Sequence, residues 1–229
     1  MARVDEPARL LAALRLGDSA FPGGGFAFSG GLEGLAADSR LAGASAVAGA
    51  VRDQALGRWL PCDRVVLVQA HRAADRLDRL IELDDALDAL TISRELREGG
   101  RQHGAGLLTA HGRLGTPGLE AFRAAVTDGR TPGQLAVVQG VVWRAAGLDE
   151  GAAEAAGAHQ MLAGALGAAV RLGLTGVMAA QRIRAELTAP LAEALATPVP
   201  DDALPSAFCP AAEIAAMRHE TQAARLFAN

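Results

Sequence analysis

Small and apolar residues recur along this chain at three- and four-residue intervals, and Gly and Pro mark the interruptions, which is the pattern of helices. Leu10, Leu11 and Leu14 form a short apolar stripe that predicts a first helix ending near Gly17. There the chain enters a glycine-dependent loop, Asp18-Ser19-Ala20-Phe21-Pro22-Gly23-Gly24-Gly25. A short helix is expected over Leu32 to Ala37. Beyond it, Ala44 to Trp59 places Val47, Ala50 and Val51 on one face, and Cys62 to Leu80 continues with Val65, Val68, Leu77 and Leu80. Val65-Val66-Leu67-Val68 alone also suits a strand, but the Ala-, Leu- and Arg-rich continuation favours helix.

A longer helix is predicted over Thr91 to Arg113, where Leu96, Gly99, Gly100, His103, Leu107 and Ala110 share a face. Its glycines weaken the helix locally, so close packing against another helix is the expected compensation. Thr131-Pro132-Gly133-Gln134 has the form of a capping box, with Thr131 as N-cap, Pro132 at N1 and Gln134 reaching back. The helix it opens carries Leu135, Val138 and Val142. Two more are expected near Glu150 to Leu172 and Thr175 to Ala196, followed by a Pro-rich connection from Pro198 to Pro205. A last helix begins near Pro210, with Ile214, Met217, Thr221 and Ala224 as its inner stripe.

No fixed-period repeat or low-complexity linker divides the chain, so the fold class is all-α, a single-domain bundle of about ten helices over residues 1–229. Half of its 229 residues are apolar, enough to bury a sizeable core. The first residues carry acids and no apolar h-region, which argues against a secretory signal and for the cytoplasm. Ala155 to Gln181 holds Arg171 as its one formal charge, but Gly, His159 and Gln160 interrupt it; a membrane span wants about 20 predominantly apolar residues. It reads as core helix. Cys62 and Cys209 make neither a disulfide framework nor a CxxC pair and are expected to be reduced and structural, Cys209 the more exposed. A net charge of −4, no lysine and no tyrosine leave nothing to suggest nucleic-acid binding.

Candidate chemistry is thin. The glycines at 23–31 invite a phosphate-cradle reading, but the P-loop pattern requires Lys and the GxGxxG register puts Phe28 at its last position. Ala27-Phe28-Ser29-Gly30-Gly31 resembles a permissive nucleophile elbow, which makes a serine hydrolase using Ser29 the alternative function. That elbow needs a preceding strand, and helices surround it, so a structural Ser29 bonding its own turn is preferred. His71, His103, His111, His159 and His219 form no ligand motif; His103 and His111 lie roughly 80° apart around one helix axis. Glu82, Asp84, Asp85 and Asp88 read as a solvated helix face. No catalytic, cofactor or metal residue is assigned. Abundant apolar faces with few site-type residues instead suggest surface buried between subunits.

Leu10 to Leu35 reads LLAALRLGDSAFPGGGFAFSGGLEGL, and Met217 to Phe227 reads MRHETQAARLF. The first is similar to the N-terminal pattern of the UreF family of urease accessory proteins, carried by Ser19, Phe21, Pro22, Gly24, Gly25, Phe26, Ser29, Gly31, Leu32 and Glu33. The second resembles that family's Arg-His-Glu helix leading to Arg-Leu-Phe. Between them the likeness is diffuse, resting on Arg94, Glu95, Gly100 and Arg101, and on Val170-Arg171-Leu172 with Gln181. Phe28 stands where the family commonly has Tyr.

The resemblance implies an all-α, non-catalytic chaperone scaffold without a cofactor. It implies a homodimer that binds UreD (also called UreH) and recruits the GTPase UreG, so that nickel is loaded into apo-urease. Glu33, Met217, Arg218, His219, Glu220, Arg225 and Phe227 are the expected partner-binding residues; Ser19, Pro22, Gly24, Gly25 and Ser29 are the expected structural loop. The terminal helix near 210–225 is short and follows Pro-rich sequence, so it is expected to order when UreD docks, with Arg218 and Arg225 on one face pairing with acids across the contact. The glycines of the loop are expected to set the next helix, with Glu33 capping or salt-bridging across an interface.

Overall fold

A computed structural model describes residues 6–222 and 225–228, and among them the secondary structure is helical throughout. The elements are α1 (Glu6–Gly17), a 3-10 turn (Gly25–Ala27), α2 (Leu32–Ala37), α3 (Gly43–Gln54), a π-helical stretch (Ala55–Asp63), α4 (Arg64–Arg72) and α5 (Leu77–Leu90). After these come α6 (Arg94–Arg113), α7 (Glu120–Thr127), α8 (Leu135–Ala145), α9 (Glu150–Arg171), α10 (Val177–Leu195) and α11 (Pro210–His219). No helix among the described residues is long and apolar enough to cross a membrane.

The core is built on α4 and α8. Val65 to Ala70 and Ala136 to Trp143 are buried on every side, which is why Val65-Val66-Leu67-Val68 shows no helical alternation although it is helix. The two cross at Gly140, where a side chain would strike the Leu67 carbonyl. Polar groups on α4 hold the Pro-rich connection over it: Gln69 donates to the Ala203 carbonyl (2.8 Å), and Arg72 grips Glu150 with two bonds (2.8 and 2.6 Å) and the Val199 carbonyl (2.9 Å). Arg64 pairs with buried Glu154 and donates to the Thr197 carbonyl (2.7 Å).

Pro61 does not break the chain into two helices. Proline lacks the amide that would bond the carbonyl four residues back and clashes with it. The π-helical turn widens around that position, and the freed Gly57 carbonyl accepts instead from the Phe208 amide (2.7 Å), while the Pro61 carbonyl accepts from Ser206 (3.0 Å). Cys62 and Cys209 are both free and buried, with Cys209, at 7 % against 0 %, the more exposed of the two as expected; its S–H donates to the Asp53 carbonyl (3.0 Å). Burial pushes the two thiols up, Cys62 to about 12 and Cys209 to about 11.

The capping box is corrected. α8 begins at Leu135 with Gln134 as N-cap, and no side chain of that segment caps it. Asp84 of α5 does so instead. Its carboxylate accepts from the Thr131 hydroxyl (2.6 Å), the Gly133 amide (2.6 Å) and the Gln134 amide (2.7 Å). Asp84 is therefore fully buried rather than on the solvated acidic face, and burial pushes its carboxyl above the usual range while these three bonds pull it back. The close packing expected for the glycines of α6 is found: side chains at Gly100 and Gly104 would collide with Gln134 and the Gly133 carbonyl.

Candidate partner-binding site

The loop after α1 is shaped turn by turn. Asp18 accepts from the Ala20 amide (2.9 Å), and the Gly23 amide closes a three-residue turn around exposed Pro22 onto the Phe21 carbonyl (2.7 Å). Ser19 is exposed beside it. Gly24 and Gly25 serve different ends. Gly24 holds φ +84° with open space around it, a conformation that L side chains rarely adopt, whereas a Cβ on Gly25 would sit 2.7 Å from the His103 ring. His103 stacks on Phe28 at 5.7 Å, and burial pushes the imidazole down to about 4. His111, about two turns further along α6, packs against Phe21 and bonds Thr116.

Ser29 is 2 % exposed, and its hydroxyl accepts from the Glu33 amide (3.3 Å) at the start of α2. An elbow nucleophile must project from a strand into an open site; this hydroxyl is enclosed and lies between helical elements, so the hydrolase alternative has no geometry to support it.

α2 packs against α11, and α11 in turn against α6. The approach is close enough that a Cβ on Gly31 would lie 2.9 Å from the Ala212 carbonyl, and one on Gly34 would overlap the backbone at Ala215. Only small residues fit opposite these two glycines, at Ala212 and Ala215. The inner stripe of α11 is accordingly Ala212, Ala215, Ala216 and His219, not the expected Ile214, Met217 and Thr221, which face outward. Ile214 is 46 % and Met217 40 % exposed; Ala224, the last member of that stripe, lies outside the described residues.

His219, 0 % exposed, sits where the helices meet. Its Nδ1 lies 2.7 Å from Glu95 of α6 and its Nε2 3.0 Å from Glu33 of α2, so carboxylates hold both edges of the ring. Glu33 also accepts from the amides of Leu226 (2.7 Å) and Phe227 (2.9 Å), and Arg225 donates to Glu95 (2.9 Å). α11 ends at His219, short of the expected 225, and Leu226 and Phe227 lie against the start of α2 through their bonds to Glu33. The remaining expected residues also find partners within this chain: Arg218 pairs with Asp38 (2.9 Å) and Glu220 with Arg94 (2.8 Å). Arg225 lies beyond the helix end, so the one-face spacing with Arg218 does not apply, and both arginines meet acids of this chain.

Buried Phe227 finishes the closure. Arg171 at the end of α9 stands over its ring at 4.2 Å and over the ring of Phe26 at 3.6 Å, donates to the Phe26 carbonyl (2.6 Å), and the Ala228 amide donates to the Ala27 carbonyl (2.8 Å). Glu95 and Arg171 belong to the middle segments, and no local pattern marks them as partners of the two ends. Among the described residues, no group of three or more His, Cys, Asp or Glu is placed to hold a metal ion.

An all-α fold whose two terminal motifs close on each other around a buried, fully engaged histidine defines a helical scaffold rather than a reaction centre. Residues 41–188 match the family model described as UreF. The chain is 32 % identical over 223 residues to the urease accessory protein UreF of Actinobacillus pleuropneumoniae serotype 5b (strain L20), covering 96 % of this chain and 98 % of that protein. It is 36 % identical to the protein of the same name from Rhizobium leguminosarum bv. viciae, over 91 % of each chain, and 30 % identical to that of Trichodesmium erythraeum (strain IMS101), over 96 % of each. The chain belongs to the UreF family: it is a urease accessory protein, not an enzyme.

Proposed function

We propose that this chain links UreD (UreH) to the GTPase UreG during nickel insertion into apo-urease, acting in the cytoplasm as a homodimeric chaperone scaffold. The observation that carries the reading is the inversion of α11. Its alanines face inward, and its large apolar side chains, Ile214 and Met217, are presented at the surface, one helical turn apart. Exposed apolar side chains grouped on one helix face favour burial against another protein. Leu10, Leu11 and Leu14 do the same on α1 and supply a second apolar face, suited to self-association. The expected partner residues divide accordingly. Met217 is the contact group, while Glu33, His219 and Phe227 shape the surface from within and exposed Arg225 braces Glu95 from outside, and ordering of the C-terminal segment by UreD acts through the inner three.

The test is capture of UreD, and then of UreG, by the tagged chain. Ile214→Asp with Met217→Asp leaves the inner face of α11 untouched, so the helical spectrum and melting temperature are expected to hold while UreD capture and urease activation are lost. Undiminished capture by that variant overturns the assignment.

A further inference from the structure

A cleft of about 380 Å³ opens between the loop after α1, the second half of α9 and the first half of α10. Leu166, Val170 and Val177 give it apolar walls, and its fixed charges are Arg171 and Arg184 against Asp18, one positive charge in excess. His103, on the wall, is held neutral near pH 7 by burial and adds none. Asp18 is engaged by the Ala20 amide, and neither arginine has an ion-pair partner among the described residues.

The two guanidinium groups are differently prepared. Arg171 is fixed by its two aromatic neighbours and by bonds from Nη1 to the Phe26 carbonyl and from Nε to the Gly167 carbonyl (3.4 Å), which leaves its other terminal nitrogen without a bond among the described residues. Arg184 lines the cleft with its Nε closed to water and without a hydrogen-bond partner among the described residues, so a ligand can meet it only through its terminal nitrogens. The planar fork of a guanidinium is completed by an oxyanion of matching geometry.

We infer that this cleft is a binding pocket for a carboxylate carried on a short apolar stem, with the terminal nitrogens of Arg184 and the free edge of Arg171 taking its oxygens and Val170 and Val177 taking the stem. One excess positive charge matches a monoanionic carboxylate better than a phosphate dianion. A free acid and an acidic side chain share this chemistry. The pocket does not depend on the assembly role proposed above, because it is read from groups that the α11 surface does not use.

The experiment is a titration of the full-length, nitrogen-15-labelled chain at neutral pH and matched ionic strength, following the arginine Nε–H resonances. The probes are butyrate, its neutral isostere butyramide, inorganic phosphate, and a terminally blocked tripeptide with glutamate at its centre. Butyrate should shift two Nε–H resonances saturably, with no response to butyramide. A matching response to the tripeptide extends the site to protein carboxylates; silence there confines it to free acids. Arg184→Gln should weaken butyrate binding at least about tenfold, the loss expected for a charge-assisted bond, and Arg171→Lys, which keeps the charge without the fork, should weaken it too. Arg182→Gln, an exposed neighbour outside the cleft, should not. Non-saturable shifts, equal response to butyramide, tighter binding of phosphate, or full binding by a folded Arg184→Gln chain would overturn the inference.

Discussion

Replacing Asp84 with alanine tests whether one buried carboxylate on α5 starts α8. The substitution removes the acceptor from three donors at once: the Thr131 hydroxyl and the Gly133 and Gln134 amides, all within 2.7 Å of it. Bonds to a charged acceptor contribute roughly 1.5–3 kcal/mol each, and unmet buried donors cost a comparable amount. Against this stands the desolvation of the carboxylate itself, several kcal/mol, which the substitution relieves. The net expectation is destabilisation by about 3 kcal/mol, at the large end for a point substitution. Urea unfolding followed by tryptophan fluorescence reads it directly, since Trp59 and Trp143 are buried in the two halves of the core. Asp85→Ala, on the exposed side of the same turn, is the control and should stay within about 0.5 kcal/mol of the parent. Equal midpoints for the two variants would show that α8 starts without Asp84.

Two further outcomes follow from packing and burial. Gly34→Ala should destabilise by about 2 kcal/mol or more, because its Cβ meets the α11 backbone at Ala215, which has no rotamer to yield, whereas Gly49→Ala on α3 meets nothing within 4 Å and should stabilise by up to about 1 kcal/mol; denaturant midpoints that fail to separate would refute the close-approach argument. His103 and His111 are both pushed down by burial to about 4, below the ordinary value of about 6.5, so the unfolded chain takes up protons that the folded chain refuses. Their contribution to stability is complete above about pH 6.5 and is lost as pH falls through the window towards 4. The slope of stability against pH in that window should therefore shrink in His111→Gln, and an unchanged slope would count against it.

Much of the architecture could be read from the residues alone. Helix formation is local: α2 falls on Leu32 to Ala37 as the pattern predicts, and α6, α9 and α10 fall within a few residues of expectation, since each carries its own periodicity. The terminal motifs likewise pointed to the family without any contact being known. What local pattern could not reveal was the set of partners across space. Asp84 looks like a member of a solvated acidic run until the turn at 131–134 is folded onto it. Glu33, Glu95 and His219 lie in three separate segments, and nothing in any one of them says that two carboxylates will close on one imidazole. Ile214 and Met217 look like the inward residues of α11 on hydrophobicity alone. The tertiary structure reverses them, because α2 and α11 approach so closely at Gly31 and Gly34 that only alanine fits between, and steric exclusion at a helix crossing outweighs the preference of larger side chains for burial.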